Sequence, residues 1–205
     1  MPDFEYEDRH EGLVCGLDEV GRGPLAGPVV AACVVIPPDQ RHHDFIKGIN
    51  NSKKLSKQKR AALSNLILSI FPSAIIEICV EEIDKINILQ ASLLAMRRSC
   101  ERVYKIMPIS HALVDGNKAP ELPCPSTTII KGDDKSLSIA AASIIAKVYR
   151  DTLMEKLAKE FPGYGWENNM GYPTADHIAA LDRYGITAHH RKSFGPVKVR
   201  LQKSA

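Results

Sequence analysis

Leu13-Val14-Cys15-Gly16-Leu17-Asp18-Glu19-Val20-Gly21-Arg22-Gly23 is an apolar run that ends in two adjacent acids and a glycine-bracketed arginine. Leu13–Leu17 reads as a first strand. Neighbouring side chains of a regular strand point to opposite faces, so Asp18 and Glu19 can serve one site only if the strand stops or bends beside them. Glycines on both sides of Arg22 permit such a bend. An acid pair held at a sharp turn is a candidate metal site, and the cation beside it is a candidate hand for phosphate.

Outward from this segment, Val29–Ile36 is rich in β-branched residues and is stopped by Pro37-Pro38, so it reads as a second strand. His42–Asn51 is a short edge element or a loop. Ser56 opens a helix with the apolar stripe Ala62, Leu63, Leu66, Ile67 and Ile70. Ala74–Val80 alternates as a strand. Asn87–Met107 carries Leu89, Leu93, Met96, Cys100 and Val103 at helical spacing, with Arg97, Arg98 and Glu101 outward. Two short strands follow, Ala112–Val114 ending at Asp115 and Thr127–Ile130 ending at Lys131. Leu137–Glu160 is a long helix with Ala141, Ile144, Ile145, Val148 and Thr152 inward, and Ala175–Arg183 is a last one. Strands first, then strands alternating with helices, predict an α/β or α+β sheet covered by helices.

A chain of 205 residues is enough for one sizeable domain. Its net charge of +3 argues neither for nor against nucleic acid. Basic residues gather around Lys53-Lys54-Lys57-Lys59-Arg60, at Arg97-Arg98 and from His189 to Lys203, which is weak support because such clusters are usually solvated faces. The five cysteines are scattered without Cys-x-x-Cys spacing, which fits a reducing compartment with neither a disulfide framework nor a zinc site. The acidic start is unlike a signal peptide, and the longest apolar stretch, Pro24 to Pro38, is too short to span a bilayer. The expectation is a soluble cytoplasmic monomer with no membrane partner.

Three expected strand ends finish in acid: Leu17-Asp18-Glu19, Val114-Asp115-Gly116-Asn117 and Ile130-Lys131-Gly132-Asp133-Asp134. Ligands of open α/β sheets sit outside the carboxyl ends of strands. If these strands lie side by side, four or five carboxyl groups converge, and a divalent cation relieves their repulsion. Hard oxygen ligands suit Mg²⁺ or Mn²⁺, and paired ions of this kind serve phosphoryl transfer. Taken singly, Asp115-Gly116 and Gly132-Asp133 are ordinary turn sequences. Asp133 and Asp134 compete, one as ligand and the other as N-cap of the helix that starts near Leu137. Gly21-Arg22-Gly23-Pro24-Leu25-Ala26 also matches G-x-G-x-x-A, but a strand follows rather than the helix that a dinucleotide site requires.

The run Gly16–Pro28 resembles the signature of ribonuclease HII, the bacterial type 2 ribonucleases H. So do Ser52-Lys53-Lys54-Leu55-Ser56, Val114–Asn117, Lys131-Gly132-Asp133, Ala141–Val148, Tyr164-Gly165-Trp166 and Gly171-Tyr172-Pro173-Thr174, in family order. The resemblance implies a ribonuclease H-like α/β fold, with a five-stranded mixed sheet flanked by helices and a small C-terminal helical appendage. In those terms the chain divides into an N-terminal extension (1–12), a catalytic domain (13–185) and a basic C-terminal appendage and tail (186–205). The implied activity is metal-dependent endonucleolytic hydrolysis of RNA in RNA–DNA hybrids. It extends to cutting 5′ of single ribonucleotides embedded in duplex DNA, leaves 3′-hydroxyl and 5′-phosphate ends, and serves ribonucleotide removal from DNA.

The family's catalytic and metal-binding carboxylates map onto Asp18, Glu19, Asp115 and Asp133. Gly21, Arg22 and Gly23 map onto the turn that senses the ribose 2′-hydroxyl, and Tyr164 onto the tyrosine that stacks on the sugar. Lys53 and Lys147 resemble phosphate-contacting positions. Without the resemblance, Tyr164-Gly165-Trp166 reads as a packed aromatic corner and both lysines as solvated. One departure is Asn51, where the family usually has Asp. His189-His190-Arg191-Lys192 reads as a basic nucleic-acid-facing or solvated loop. Two rivals remain: a catalytically inactive nucleic-acid-binding module of the same fold, and a metal-dependent small-molecule phosphatase.

Overall fold

The computed structural model describes residues 1–203; Ser204 and Ala205, the end of the expected basic tail, lie outside them. Five strands form one mixed sheet: β1 (Val14–Val20), β2 (Val29–Val35), β3 (Ser73–Ile78), β4 (His111–Asp115) and β5 (Ser126–Ile129), in the order β3-β2-β1-β4-β5. The β1–β2 and β2–β3 pairs are antiparallel, whereas β1–β4 and β4–β5 are parallel. The three acid-bearing strands are therefore neighbours that end at the same edge.

Helix α2 (Val80–Tyr104) covers one face of the sheet, and α1 (Lys57–Ile70) and α3 (Leu137–Glu160) cover the other. Alternation along the strands sorts the two cores. Cys15, Leu17, Ala31 and Cys33 face α2, whereas Val30, Ala32 and Val34 face α3. Gly16 lies under α3 so closely that a Cβ would stand 2.2 Å from the Ile139 nitrogen. Only glycine admits the helix there, and that contact seats α3 over β1. Short helices α4 (Trp166–Asn169) and α5 (Ala175–Tyr184) and the C-terminal α6 (Gly195–Lys203) follow; Val197 packs with Leu25, Met154, Trp166 and Leu181 in a third core.

Several expectations need correction. The first strand does not stop at Leu17. Its antiparallel pairing with β2 continues to Val20–Val30, while its parallel pairing with β4 ends at Leu17–Val114. The acids thus sit on a strand still paired on one side and open on the other. The helix expected from Asn87 is the second part of α2, because Asn87 (φ 68°) interrupts it and its side chain accepts from the Leu89 and Gln90 amides. Ala62, Leu66 and Thr152 face solvent, and His42–Asn51 contains a 3-10 turn at Asp44–Gly48, not a strand.

The first twelve residues are packed against the body. The buried Glu7 carboxylate accepts from the Ser136 hydroxyl and from the Ser138 amide and hydroxyl at the start of α3 (2.6–2.9 Å). A carboxylate there complements the partial positive charge of a helix N-terminus. No helix among the described residues is long and apolar enough to cross a membrane.

Candidate active site

Even-numbered residues of β1 face α3, so Asp18 is directed to that side and Glu19 to the α2 side. Asp115 ends β4, and continuing the Leu17–Val114 register by one step sets it beside Asp18. Two acids on opposite faces reach one site because the sheet edge is open at this point. Two residues past β5, the left-handed Lys131 (φ 56°) turns the chain so that the Gly132 amide donates to Asp115 Oδ1 at 2.6 Å and Asp133 follows at once.

The electrostatics bear this convergence out. Burial, then the charges of Glu19 and Asp115, hold the Asp18 carboxyl well above the usual carboxylate range, and Asp133 adds to the effect. Glu19 is raised by burial against the opposing pull of Arg22, whose guanidinium lies 3.3 Å from its Oε1. Asp133 is raised by burial and by Asp115, with Lys53 and Lys54 pulling it down. Among the described residues, no three of these acids bring carboxylate oxygens within 4.8 Å of one another, so the set is open rather than closed. On the α2 side a cleft of about 200 Å³ is lined by Glu19, Arg22, Ser92, Met96, Asp115 and Lys118. Buried, mutually repelling hard-oxygen donors beside an open cleft fit a divalent cation with room for water and substrate.

Around the acids the supports are polar. The Glu19 amide donates to Asp18 Oδ1 at 2.7 Å. The Ser143 side chain of α3 pulls the Asp18 carboxyl back down, and Ser143 Oγ meets Ser52 Oγ at 2.9 Å. This chain ties the Ser52-Lys53-Lys54 turn to the acids and sets the exposed Lys53 where it acts on Asp133. Lys54 Nζ is 2.6 Å from Asp134 Oδ1. Asp134 is therefore a lysine partner, and it is not the cap of α3 either: Ser136 Oγ accepts from the Ile139 amide. The competition between the two aspartates leaves Asp133 at the site and gives the cap to a serine.

A family model described as Ribonuclease HII matches residues 15–197. A Ribonuclease HII of Paramagnetospirillum magneticum is 52% identical over 197 residues, covering 96% of this chain and 97% of that protein. The chain belongs to the ribonuclease HII family. Its architecture is similar to that of the ribonuclease H2 of Pyrococcus horikoshii OT3 (TM-score 0.74, 24% identity, 94% of this chain and 98% of that one). It is also similar to Bst-RNase HIII, solved in complex with Mn²⁺ (TM-score 0.76, 18% identity, 94% and 70%). Membership makes the chain a ribonuclease H, an endoribonuclease acting on nucleic acid, with an α/β ribonuclease H-like fold.

Against that background two expected site residues and one expected loop change place. Tyr164 is buried, stacks on Trp166 with ring centroids 5.0 Å apart, and donates its hydroxyl to the Gly185 carbonyl. It is the packed corner, and its ring has no face free for a sugar. The tyrosine beside the glycine turn is Tyr172, 43% exposed, whose ring would lie 3.2 Å from a Cβ on Gly23. Lys147 is tied to Asp151 Oδ1 at 2.7 Å, so its charge is already partnered. The third correction concerns His189–Lys192, which is no solvated loop: His190 and Arg191 are fully buried.

Arg191 donates to the carbonyls of Gly21, Arg22 and Gly27 at 2.6–3.0 Å. Arg150 of α3, equally buried, donates to those of Ala26, Pro28 and Met170 at 2.9–3.1 Å. Burial lowers both, Arg150 to about 10 and Arg191 to about 9, so each is still charged at neutral pH. Gly21 has φ +91°, and a Cβ there would stand 2.2 Å from Arg150 Nε. Behind Tyr172, His177 Nδ1 meets the Tyr172 carbonyl at 2.9 Å, and His177 Nε2 meets Trp166 Nε1 and His190 Nε2 at 3.0 and 3.1 Å. Sequence pattern alone does not mark these supports. The one sequence signal for Arg150 is its position four and seven residues before Met154 and Leu157, on the inward stripe of α3. Asn51, the departure from the family pattern, is buried and accepts from the Lys53 amide, and its side chain helps to hold the Asp134 carboxyl down.

Proposed function

We propose that the chain hydrolyses the RNA strand of RNA–DNA hybrids and cuts 5′ of single ribonucleotides embedded in duplex DNA, leaving 3′-hydroxyl and 5′-phosphate ends. The observation that supports this reading is the adjacency of two features: carboxylates that converge at an open sheet edge, and, directly after Glu19, a glycine turn held by buried Arg191 with the exposed Tyr172 beside Gly23. Asp18, Glu19, Asp115 and Asp133 would hold Mg²⁺ or Mn²⁺. Such an ion supplies charge stabilisation to a phosphodiester under attack and lowers the pKa of water.

The chain's own groups do the rest. Gly21–Gly23 presents fixed backbone polar groups, and a ribose 2′-hydroxyl, both donor and acceptor, is the sugar group such a turn reads best. Tyr172, not Tyr164, offers a ring face for the adjoining sugar. Arg22 and Lys53 flank the acids as phosphate cations, while Arg150 and Arg191 keep the turn from relaxing. A small-molecule phosphatase has no use for an exposed tyrosine beside the glycine turn and for cations flanking the acids. An inactive binding module has no use for four intact acids. Cytoplasmic action as a monomer on embedded ribonucleotides, in the service of DNA repair, completes the reading. The test is a duplex DNA with one internal ribonucleotide, incubated with and without Mg²⁺ or Mn²⁺. A single ion-dependent nick 5′ of the ribonucleotide is expected. Hydrolysis of a small phosphoester with no nick in that duplex would overturn the proposal.

A further inference from the structure

The scattered cysteines give no zinc spacing in sequence, yet folding brings three of them together. Cys15 of β1, Cys33 of β2 and Cys100 of α2 are completely buried, and their sulfurs all lie within 4.8 Å of one another. The register explains the meeting. Leu17 pairs with Cys33 and Cys15 with Val35, so Cys15 and Cys33 are diagonal neighbours on the face that receives α2. Cys124, in the loop between β4 and β5, is half-buried against the same core and close enough to Cys100 to influence its thiol. Cys79 is exposed and apart.

We propose that Cys15, Cys33 and Cys100 form a site for a thiophilic divalent ion of the Zn²⁺ class, and that Cys124, packed on the same core but outside the three-sulfur set, moves in with its loop to complete the fourth position. Zn–S bonds of about 2.3 Å set sulfurs about 3.8–4.0 Å apart in tetrahedral or trigonal sets, so the cluster closes on an ion by moves of less than about 1 Å. Sulfur donors select soft ions, whereas the carboxylates at the sheet edge select hard ones, so the two sites do not compete for the same metal. Coordination exchanges each ligating thiol proton for a metal–sulfur bond, the protons leaving to solvent, with no change of oxidation state. The site lies on the same strand and face as Glu19, four residues before it, so an ion there pins β1 to α2 beneath the catalytic edge.

The full chain, kept reduced and in excess Mg²⁺ so that the carboxylates are filled, is titrated with Cd²⁺. The expected result is a sulfur-to-cadmium charge-transfer band that saturates at one equivalent, together with a rise in Tm. Carboxylates give no such band. Cys79→Ser retains both effects, Cys33→Ala loses both, and the half-buried Cys124→Ser weakens binding by at least about tenfold. Should Cys33→Ala not fold, Cys124→Ser carries the decision. No band at one equivalent, wild-type affinity in Cys124→Ser, or a band lost only in Cys79→Ser overturns the proposal.

Discussion

The acids of the cleft are delivered by strand ends, whereas the Gly21–Gly23 turn beside them is held from behind by Arg191, 164 to 170 residues away from the carbonyls it binds, and the Ala26–Pro28 segment that follows is held by Arg150, 122 to 124 residues away. The first region is a set of like charges that the fold forces together and an ion would relieve. The second is a set of backbone carbonyls that buried cations already satisfy. The acid edge is therefore charged with repulsion in the free protein, and the turn is finished before substrate arrives. Under the proposed function, chemistry and substrate reading are built side by side, and only the first needs a ligand to complete it.

Substitution in the first region separates activity from stability. Asp18→Asn should lower nicking at an embedded ribonucleotide by more than about 100-fold, since even groups that only orient metal ligands are worth 10–100-fold. Its Tm without divalent ion should equal or exceed wild type, because a buried, repelled carboxylate is gone. A variant that loses activity only by unfolding would break the contrast.

In the second region stability and activity fall together. Arg191→Met strands three buried carbonyls and should cost about 3 kcal/mol or more in denaturant unfolding, with discrimination for ribonucleotide lost as the turn relaxes. If chemical denaturation shows less than about 1 kcal/mol, the turn holds itself and the clasp is secondary.

Acid should move the two regions in opposite directions. Burial holds the His190 imidazole down to about 4 from 6.5, so the folded state resists its protonation. Its contribution is whole above 6.5 and is lost as pH falls toward 4, by at most about 3 kcal/mol. The raised carboxyls of Asp18, Glu19 and Asp133 work the other way, since the folded ion-free protein gains stability as they take up protons on descent toward their ordinary values. Comparing Tm between pH 7.5 and 5 in wild type and His190→Gln isolates the first effect: the variant should show the shallower loss. Equal slopes would remove His190 from the clasp.

The smallest difference distinguishes the two tyrosines. Tyr172→Ala should slow cleavage at a single ribonucleotide by about tenfold, the scale of one lost ring–nucleotide contact, with little change in Tm. Tyr164→Phe should leave the rate alone and cost about 1 kcal/mol through the missing bond to Gly185. The reverse pattern would return Tyr164 to the site.

The same contrast explains what could be seen in the sequence. The sheet, the long helix Leu137–Glu160 and the acids at strand ends follow from local periodicity and turn chemistry, which neighbouring residues carry. Asp133 was separated from Asp134 by the family resemblance alone; in the fold the reason is Lys54, eighty residues earlier in the chain. Arg150, Arg191 and His190 belong to residue types that ordinarily face water, and nothing adjacent marks them as buried. Their partners are main-chain carbonyls, which carry no sequence signature. Tyr164 and Tyr172 both sit in family-like motifs, and only packing shows which ring is covered. Cys15, Cys33 and Cys100 meet through strand register and a helix crossing, which spacing does not encode.

Convergence of acids from three strands on one divalent ion is most directly tested by titrating Mn²⁺ into wild type and Asp115→Asn and counting bound ions by electron paramagnetic resonance. Asp115 lies about a hundred residues from Asp18 in sequence and touches the ion only if the strands meet as described. Saturable binding in wild type that weakens by at least about tenfold in the folded variant is predicted. Undiminished Mn²⁺ affinity in Asp115→Asn would contradict it.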